Sequence, residues 1–275
     1  MWQQFSDDVL EREYSPSSVA SNYRDVVASY SDESNVVSAS LMSYRMCYGA
    51  SPAEYSIVFP SRRSDDAIVI FIHGGYWQEL SAEESCFPAR NFIEHGVAFA
   101  AVNYALAPSA TIETMVEQCA RAIRCIAVAH PDAKLVIAGS SAGAHLSAMM
   151  AMQEWEHALA TRIKGYVLAS GVYDLRPLVR TYVNQPLKLN IEAAIAASPR
   201  FAKPRHRVPT LVCWGQHETA EFKRQSFEFA RHLSDHEVPV QLLEVTGRNH
   251  FDILFDLSMP SSELGTTVYL LIGEH

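Results

Sequence analysis

The stretch Lys134-Leu135-Val136-Ile137-Ala138-Gly139-Ser140-Ser141-Ala142-Gly143 decides how the rest of the chain is read. Behind the opening lysine, Leu135 to Ala138 are apolar without alternation, as expected of a parallel strand covered on both faces. The next five residues form a GxSxG pattern and run into an expected helix over 142–155. Two glycines allow a sharp backbone turn without Cβ clashes, holding Ser141 exposed on a strained strand-to-helix turn. The amide of Ala142 then points toward an oxyanion at the positive end of a helix. Alone the pattern is weak, since GxSxG occurs by chance in roughly one chain in ten of this length. The competing reading is a small-residue turn packed on the sheet. The strand before it and the helix after it favour a nucleophile.

Outward from this turn, short apolar runs alternate with amphipathic stretches. The runs are 53–59, 67–72, 97–104, 134–138, 165–170, 208–214 and 240–245. Ser81 with Glu84 predicts a capping box for a helix ending near Gly96. Ile112, Met115, Val116, Cys119, Ile123 and Ile126 form one stripe of a helix over 111–129. Further helices are expected over 187–197, 218–233 and 262–272. Such alternation predicts an α/β protein: a doubly wound, mostly parallel sheet with right-handed crossovers and helices on both faces. Ligands collect beyond the carboxyl ends of the strands in these sheets, so chemistry is sought just after each run.

Two more strand ends carry chemistry. His73-Gly74-Gly75-Tyr76-Trp77 follows the run at 67–72, two strands before the nucleophile. Adjacent glycines expose consecutive amides, which makes Gly74 and Gly75 candidate oxyanion donors beside Ala142. His73 reads as a structural hydrogen-bonder. Tyr76 and Trp77 either line an aromatic pocket or fill space at the strand end. Asn249-His250-Phe251 follows the last run, where a base for Ser141 belongs, because the chain order here is nucleophile, acid, base. His145, His157, His232 and His236 fall in or near helices and His275 is terminal. His217 sits where the acid is expected, which leaves His250 as the base.

The acid belongs after the run at 208–214, where Glu218 and Glu221 are the candidates. Its task is to accept from the imidazole N–H and stabilise the imidazolium as it forms. Glu218 lies four residues past Trp214, in the loop that should face the catalytic end of the sheet. A carboxylate opening the 218–233 helix is also explained by capping and the helix dipole, which applies to Glu221 above all. Asp252, two residues from His250, is too local to be the partner supplied by the preceding strand.

Composition bounds the rest. The 275 residues (30.6 kDa) form a chain long enough to bury roughly 73% of its unfolded surface without disulfide or metal staples. Hydrophobic residues at 48% and charged residues at 19% fit a globular protein rather than a disordered one. Lys plus Arg number 22 against 31 Asp plus Glu, a net charge of −9 that argues against nucleic-acid or anionic-membrane partners. The opening MWQQFSDDVLERE has neither the basic nor the apolar region of a signal peptide. Cys47, Cys86, Cys119, Cys125 and Cys213 are odd in number and lack CxxC spacing, so reduced thiols in a cytoplasmic protein are expected and structural zinc is not. Residues 1–52 hold twelve serines and only weak helical periodicity. They are expected to wrap over the core near the site mouth, with 53–275 as the catalytic core of a single domain.

Taken together, these motifs resemble the kynurenine formamidases (arylformamidases) of the α/β-hydrolase superfamily. The resemblance rests on HGGYW at 73–77, GSSAG at 139–143, SGVYDL at 170–175 and EFKRQS at 221–226, with support from 184–199, 249–251 and Glu13-Tyr14-Ser15-Pro16. It implies the α/β-hydrolase fold, with Ser141, Glu218 and His250 as catalytic residues on a small-molecule substrate. The reaction it implies is hydrolysis of a small acyl amide of an arylamine, without metal or organic cofactor. The family generally has Asp as the acid, whereas this chain has Glu218. A carboxylesterase or other amide hydrolase using the same residues is the alternative, and a non-catalytic binding protein on this scaffold a lesser one. Oligomeric state is left open, a homodimer included.

Overall fold

Strand β3 (Ala67–Ile72) illustrates why the central sheet forms: all six residues are buried, but they alternate between two cores. Ile68, Ile70 and Ile72 face one layer of helices, while Ala67, Val69 and Phe71 face the other. A run apolar at every position is therefore what a strand between two helical layers requires.

The computed structural model describes residues 2–61 and 67–273, which leaves His275 outside the described residues. In chain order the remaining elements are α1 (Asp7–Glu13), α2 (Tyr23–Ser40), β1 (Tyr44–Cys47), β2 (Tyr55–Phe59), α3 (Ala89–Glu94), β4 (Ala98–Val102), α4 (Ile112–Ala129) and β5 (Lys134–Ser140). They continue with α5 (Ala142–Ala151), α6 (His157–Ala160), β6 (Ile163–Ala169), α7 (Asn184–Leu187), α8 (Ile191–Ala196), β7 (Thr210–Gly215), α9 (Ala220–Asp235), β8 (Val240–Val245) and α10 (Glu263–Ile272). The sheet order is β1-β2-β4-β3-β5-β6-β7-β8. β2 pairs antiparallel with β1 and β4, and every later pairing is parallel.

One face of the sheet is covered by α4, α5 and α9, which bring Ile123, Leu146 and Phe229 to the core. The other face carries α2, α3 and α10, with Phe92 stacked on Phe99 at 5.7 Å between ring centroids and Phe99 on Phe71 at 6.2 Å. Each such buried ring contributes roughly 1.5–3 kcal/mol of transfer free energy.

Three expectations need correction. The helix expected from Ser81 is interrupted: Glu83–Ser85 is a 3₁₀ turn and α3 begins only at Ala89, after Pro88. Ser81 Oγ bonds the side chains of Glu83 and Glu84, so the reciprocal capping box does not form. The helix expected over 187–197 is shorter: α7 ends at Leu187, Lys188 turns into the left-handed region, and α8 starts only at Ile191. The amino-terminal segment is far more helical than its weak periodicity implied. Helix α2 buries Val26, Tyr30, Ser34 and Val37 along one stripe. Ser34 obscures that stripe in the sequence, yet its Oγ accepts from the amides of Cys86 and Phe87, both at 3.0 Å, and so satisfies two buried donors.

Glu221 is likewise more than a surface cap. It is buried, accepts from the Tyr14 hydroxyl at 2.8 Å, and pairs side-on with Arg224 at 2.8 and 2.7 Å. Burial, with the Glu221 carboxylate beside it, holds the Tyr14 phenol well above its ordinary pKa. Gln225 completes the group, donating to Tyr14 Oη at 3.0 Å and accepting from the amides of Tyr173 and Asp174. Glu221→Gln removes the buried charge opposite Arg224, which among the described residues then keeps the half-exposed Glu228. Unfolding free energy is expected to fall by about 2 kcal/mol, with turnover within about tenfold of wild type. Urea denaturation and steady-state kinetics check this, and unchanged stability would count against a structural role.

Candidate active site

The turn after β5 is built by close backbone approach. A Cβ on Gly143 would lie 2.0 Å from Ile72 O, and one on Gly139 would lie 2.3 Å from Gly143 O. Ser141 between them has φ 55° and ψ −118°, a conformation that L-residues rarely adopt. It is held there by its amide, which donates to Ala169 O at 2.8 Å on neighbouring β6. Ala142 begins α5, so its own amide has no intrahelical acceptor.

The loop after β3 lies against this turn: a Cβ on Gly74 would stand 3.0 Å from Ser140 O and 3.2 Å from Ser141 Cβ. Gly75 has φ +93°, and its carbonyl accepts from the amides of Gln78 and Glu79, both at 2.9 Å. Tyr76 follows in the left-handed region, with its hydroxyl donating to Tyr14 O at 2.5 Å.

The carboxylate and imidazole meet at the ends of β7 and β8. His250 Nδ1 lies 2.9 Å from Glu218 Oε2, both side chains being buried. With the carboxylate accepting, the imidazole proton sits on Nδ1 and Nε2 is free to act as a base. Glu218 Oε1 accepts from the Gly215 amide and the Ser170 hydroxyl, each at 2.6 Å. Ser170, in the left-handed region just beyond β6, was missed as a site residue, although SGVYDL was singled out. Its signal was position, immediately past a strand's carboxyl end. Phe222 packs edge-on against the His250 ring at 4.6 Å. Asp252 accepts from the Asn249 amide at 2.7 Å and the Asn249 side chain at 3.1 Å, so it shapes the loop that carries His250.

Ser141, His250, Gly74, Gly75 and Tyr76 border one cavity of about 550 Å³. Its outer wall comes from the amino-terminal segment, including Pro16, Tyr23, Val27 and Tyr30. Tyr30 also donates to Phe251 O at 2.5 Å, which ties α2 to the His250 loop. Trp77 is not part of this cavity. It is fully buried beneath the loop, edge-on to His145 at 5.0 Å, so it fills space at the strand end. A second cavity of about 590 Å³ opens at the opposite end of β5 and β6, lined by Lys134, Lys164 and His206, and holds none of the predicted site residues. Among the described residues, no three or more His, Cys, Asp and Glu side chains converge as a metal site, and no helix is long and apolar enough to cross a membrane.

The chain has clear relatives among known proteins. The chain is 33% identical to the kynurenine formamidase of Danio rerio over 99% of both chains. It is 34% identical to that of Salmo salar over 93% of both. The chain belongs to the kynurenine formamidase family. A family model described as BD-FAE also matches residues 56–233. Among solved structures, a Silicibacter sp. tm1040 protein described as a thioesterase superposes with TM-score 0.84 at 27% identity, covering 94% of this chain and 98% of that one. An esterase of Pyrobaculum calidifontis gives TM-score 0.70 at 19% identity over 97% and 95% of the two chains, a likeness of fold. The fold is the α/β-hydrolase fold, as the motifs implied.

Two histidines beneath the site set an acid limit on the family scaffold. Burial pushes His73 down to about 4, and His145 likewise to about 4. Unfolding returns each to its ordinary value of about 6.5, so the unfolded chain binds more protons below that pH. Their contribution to stability is therefore present above about pH 6.5 and is lost as pH falls through 4, at up to about 1.4 kcal/mol per pH unit for each histidine. Burial also lowers the partly exposed His206 and the buried His232, which act in the same direction. His145→Gln should visibly flatten the dependence of unfolding free energy on pH between 7 and 4. An unchanged slope in urea titrations would show that His145 is not buried neutral.

Proposed function

We propose that the chain is a serine hydrolase that cleaves a small acyl amide of an arylamine, with N-formylkynurenine going to kynurenine and formate. The near full-length likeness to two fish kynurenine formamidases carries the substrate. The Glu218–His250 pair, on the same cavity as Ser141, supports the mechanism.

His250 Nε2 takes the proton as Ser141 Oγ attacks the formyl carbon. The Gly75 and Ala142 amides, with Gly74, receive the oxyanion, an interaction whose single donors are worth about 3–4 kcal/mol in serine proteases. Collapse of the tetrahedral species expels the aryl amine, which takes its proton from His250, and leaves a formyl ester on Ser141. Water, deprotonated by His250, then attacks the ester and releases formate. Glu218 keeps the Nδ1 proton in place and offsets the imidazolium charge. Its Oε1 is occupied by two donors, so Oε2 alone faces the ring. That arrangement supports a glutamate in the acid role despite its extra methylene. The reading implies a small-molecule substrate, a cytoplasmic setting, and no nucleic-acid or membrane partner.

Two substitutions test the roles. Ser141→Ala should abolish N-formylkynurenine turnover while leaving the circular dichroism spectrum and Tm intact. Residual activity above about a hundredth of wild type would contradict the assignment. Glu218→Gln presents a donor where the imidazole needs an acceptor and should cost about 10³–10⁴ in kcat. If Glu221→Gln or Asp252→Asn collapses instead, the acid is misplaced. Relative rates on N-formylkynurenine and p-nitrophenyl acetate separate the amidase reading from a carboxylesterase with the same residues.

A further inference from the structure

Among the residues bordering the cavity at Ser141, the Lys, Arg, Asp and Glu side chains are Arg24 and Glu79, one of each sign. Arg45, Arg121, Arg176, Arg180, Arg224 and Arg248 each meet a carboxylate. Arg24 meets none among the described residues. Its Nε donates to the Tyr23 hydroxyl at 3.1 Å, and its guanidinium carbon lies 5.6 Å from the centre of that ring. The ring thus steadies the side chain by one nitrogen, while the terminal nitrogens of the fork have no carboxylate. Glu79 is exposed and also lacks an ion partner among the described residues, and its amide is bound to the Gly75 carbonyl of the loop after β3.

The rest of the lining is mostly apolar and aromatic, with Val27, Phe251 and Leu254 beside a few neutral polar side chains such as Ser17 and Gln78. Such a cavity suits an aromatic ring that bears a zwitterionic arm. A guanidinium fork binds a carboxylate by two parallel hydrogen bonds, geometry that a neutral arm cannot use. We infer that Arg24 receives the carboxylate of the substrate, with Glu79 as the opposite charge for its ammonium group. The site thereby selects aryl formamides that carry a free amino-acid arm over neutral ones. The inference rests on the arylformamide reading above and adds the residue that sets specificity.

The test compares N-formylkynurenine with 2-formamidoacetophenone, the same aryl formamide without the amino-acid arm. Wild type should show kcat/KM about tenfold or more higher for the zwitterion. Arg24→Gln should raise KM for N-formylkynurenine about tenfold with kcat within about twofold, and leave 2-formamidoacetophenone unaffected. Arg24→Lys should recover part of the loss, since it restores the charge without the fork. Glu79→Gln should lower the preference for the zwitterion by a smaller factor. Equal effects of Arg24→Gln on both substrates, or no effect on either, overturn the inference while leaving the arylformamidase reading intact. If wild type hydrolyses neither formamide, that reading fails, and calorimetry of kynurenine against 2-aminoacetophenone still decides the role of Arg24. Kynurenine affinity unchanged in Arg24→Gln would then overturn it, and a selective loss of about tenfold would uphold it.

Discussion

The contact on which the site depends is backbone against backbone: the start of α5 pressed onto the end of β3. Gly143 lies so close under the Ile72 and His73 carbonyls that no side chain fits. The turn at Ser141 and the loop at Gly74 and Gly75 are therefore one packed unit rather than two loops that happen to meet. Their separation is set by hard-sphere sterics, which vary little with temperature or ligand. The strained φ of Ser141 persists because strand pairing on one side and this contact on the other leave it no alternative.

A second unit forms around the Glu218 carboxylate. Its three donors come from three places: Ser170 beyond β6, Gly215 closing β7 and His250 beyond β8. A buried carboxylate is tolerable only when its lone pairs are occupied, so these bonds also join three strand ends at one point. Ser170 is the less visible partner. Removing its hydroxyl would leave Oε1 with the Gly215 amide alone and loosen the orientation of the carboxylate against the ring.

Legibility in the sequence followed the physical range of each interaction. The parallel strands and the turns at Ser141, Gly74 and His250 are local: apolar runs, glycines and the order of strand ends suffice to find them. Trp77 and Tyr76 are adjacent, yet one faces the core and the other the cavity, and composition does not distinguish them. Helix α2 was obscured by Ser34, which sits in the apolar stripe as an acceptor for amides 52 and 53 residues away. Glu221 looked like an ordinary first-turn carboxylate because its partner Tyr14 lies 207 residues earlier in the chain. The expected helix from Ser81 failed for a local reason, the Pro88 that follows the 3₁₀ turn and the side-chain bonds that replaced the capping box.

The amino-terminal segment links these units. Tyr14 O accepts from Tyr76 in the loop after β3, and Glu13 O accepts from the Thr219 hydroxyl next to Glu218, at 2.6 Å. Asn22 Oδ1 accepts from Asn249 at 2.9 Å, and Tyr30 donates to Phe251 on either side of His250. One continuous stretch thus holds the loops that follow β3, β7 and β8. Fixing each loop separately would cost conformational entropy at every residue ordered, whereas a shared strap orders them together during folding. The same strap supplies the cavity wall that bears Arg24. On the proposed reading, alignment of the reacting groups and recognition of the substrate's far end are carried by one element, so a change in how α2 seats would alter both at once.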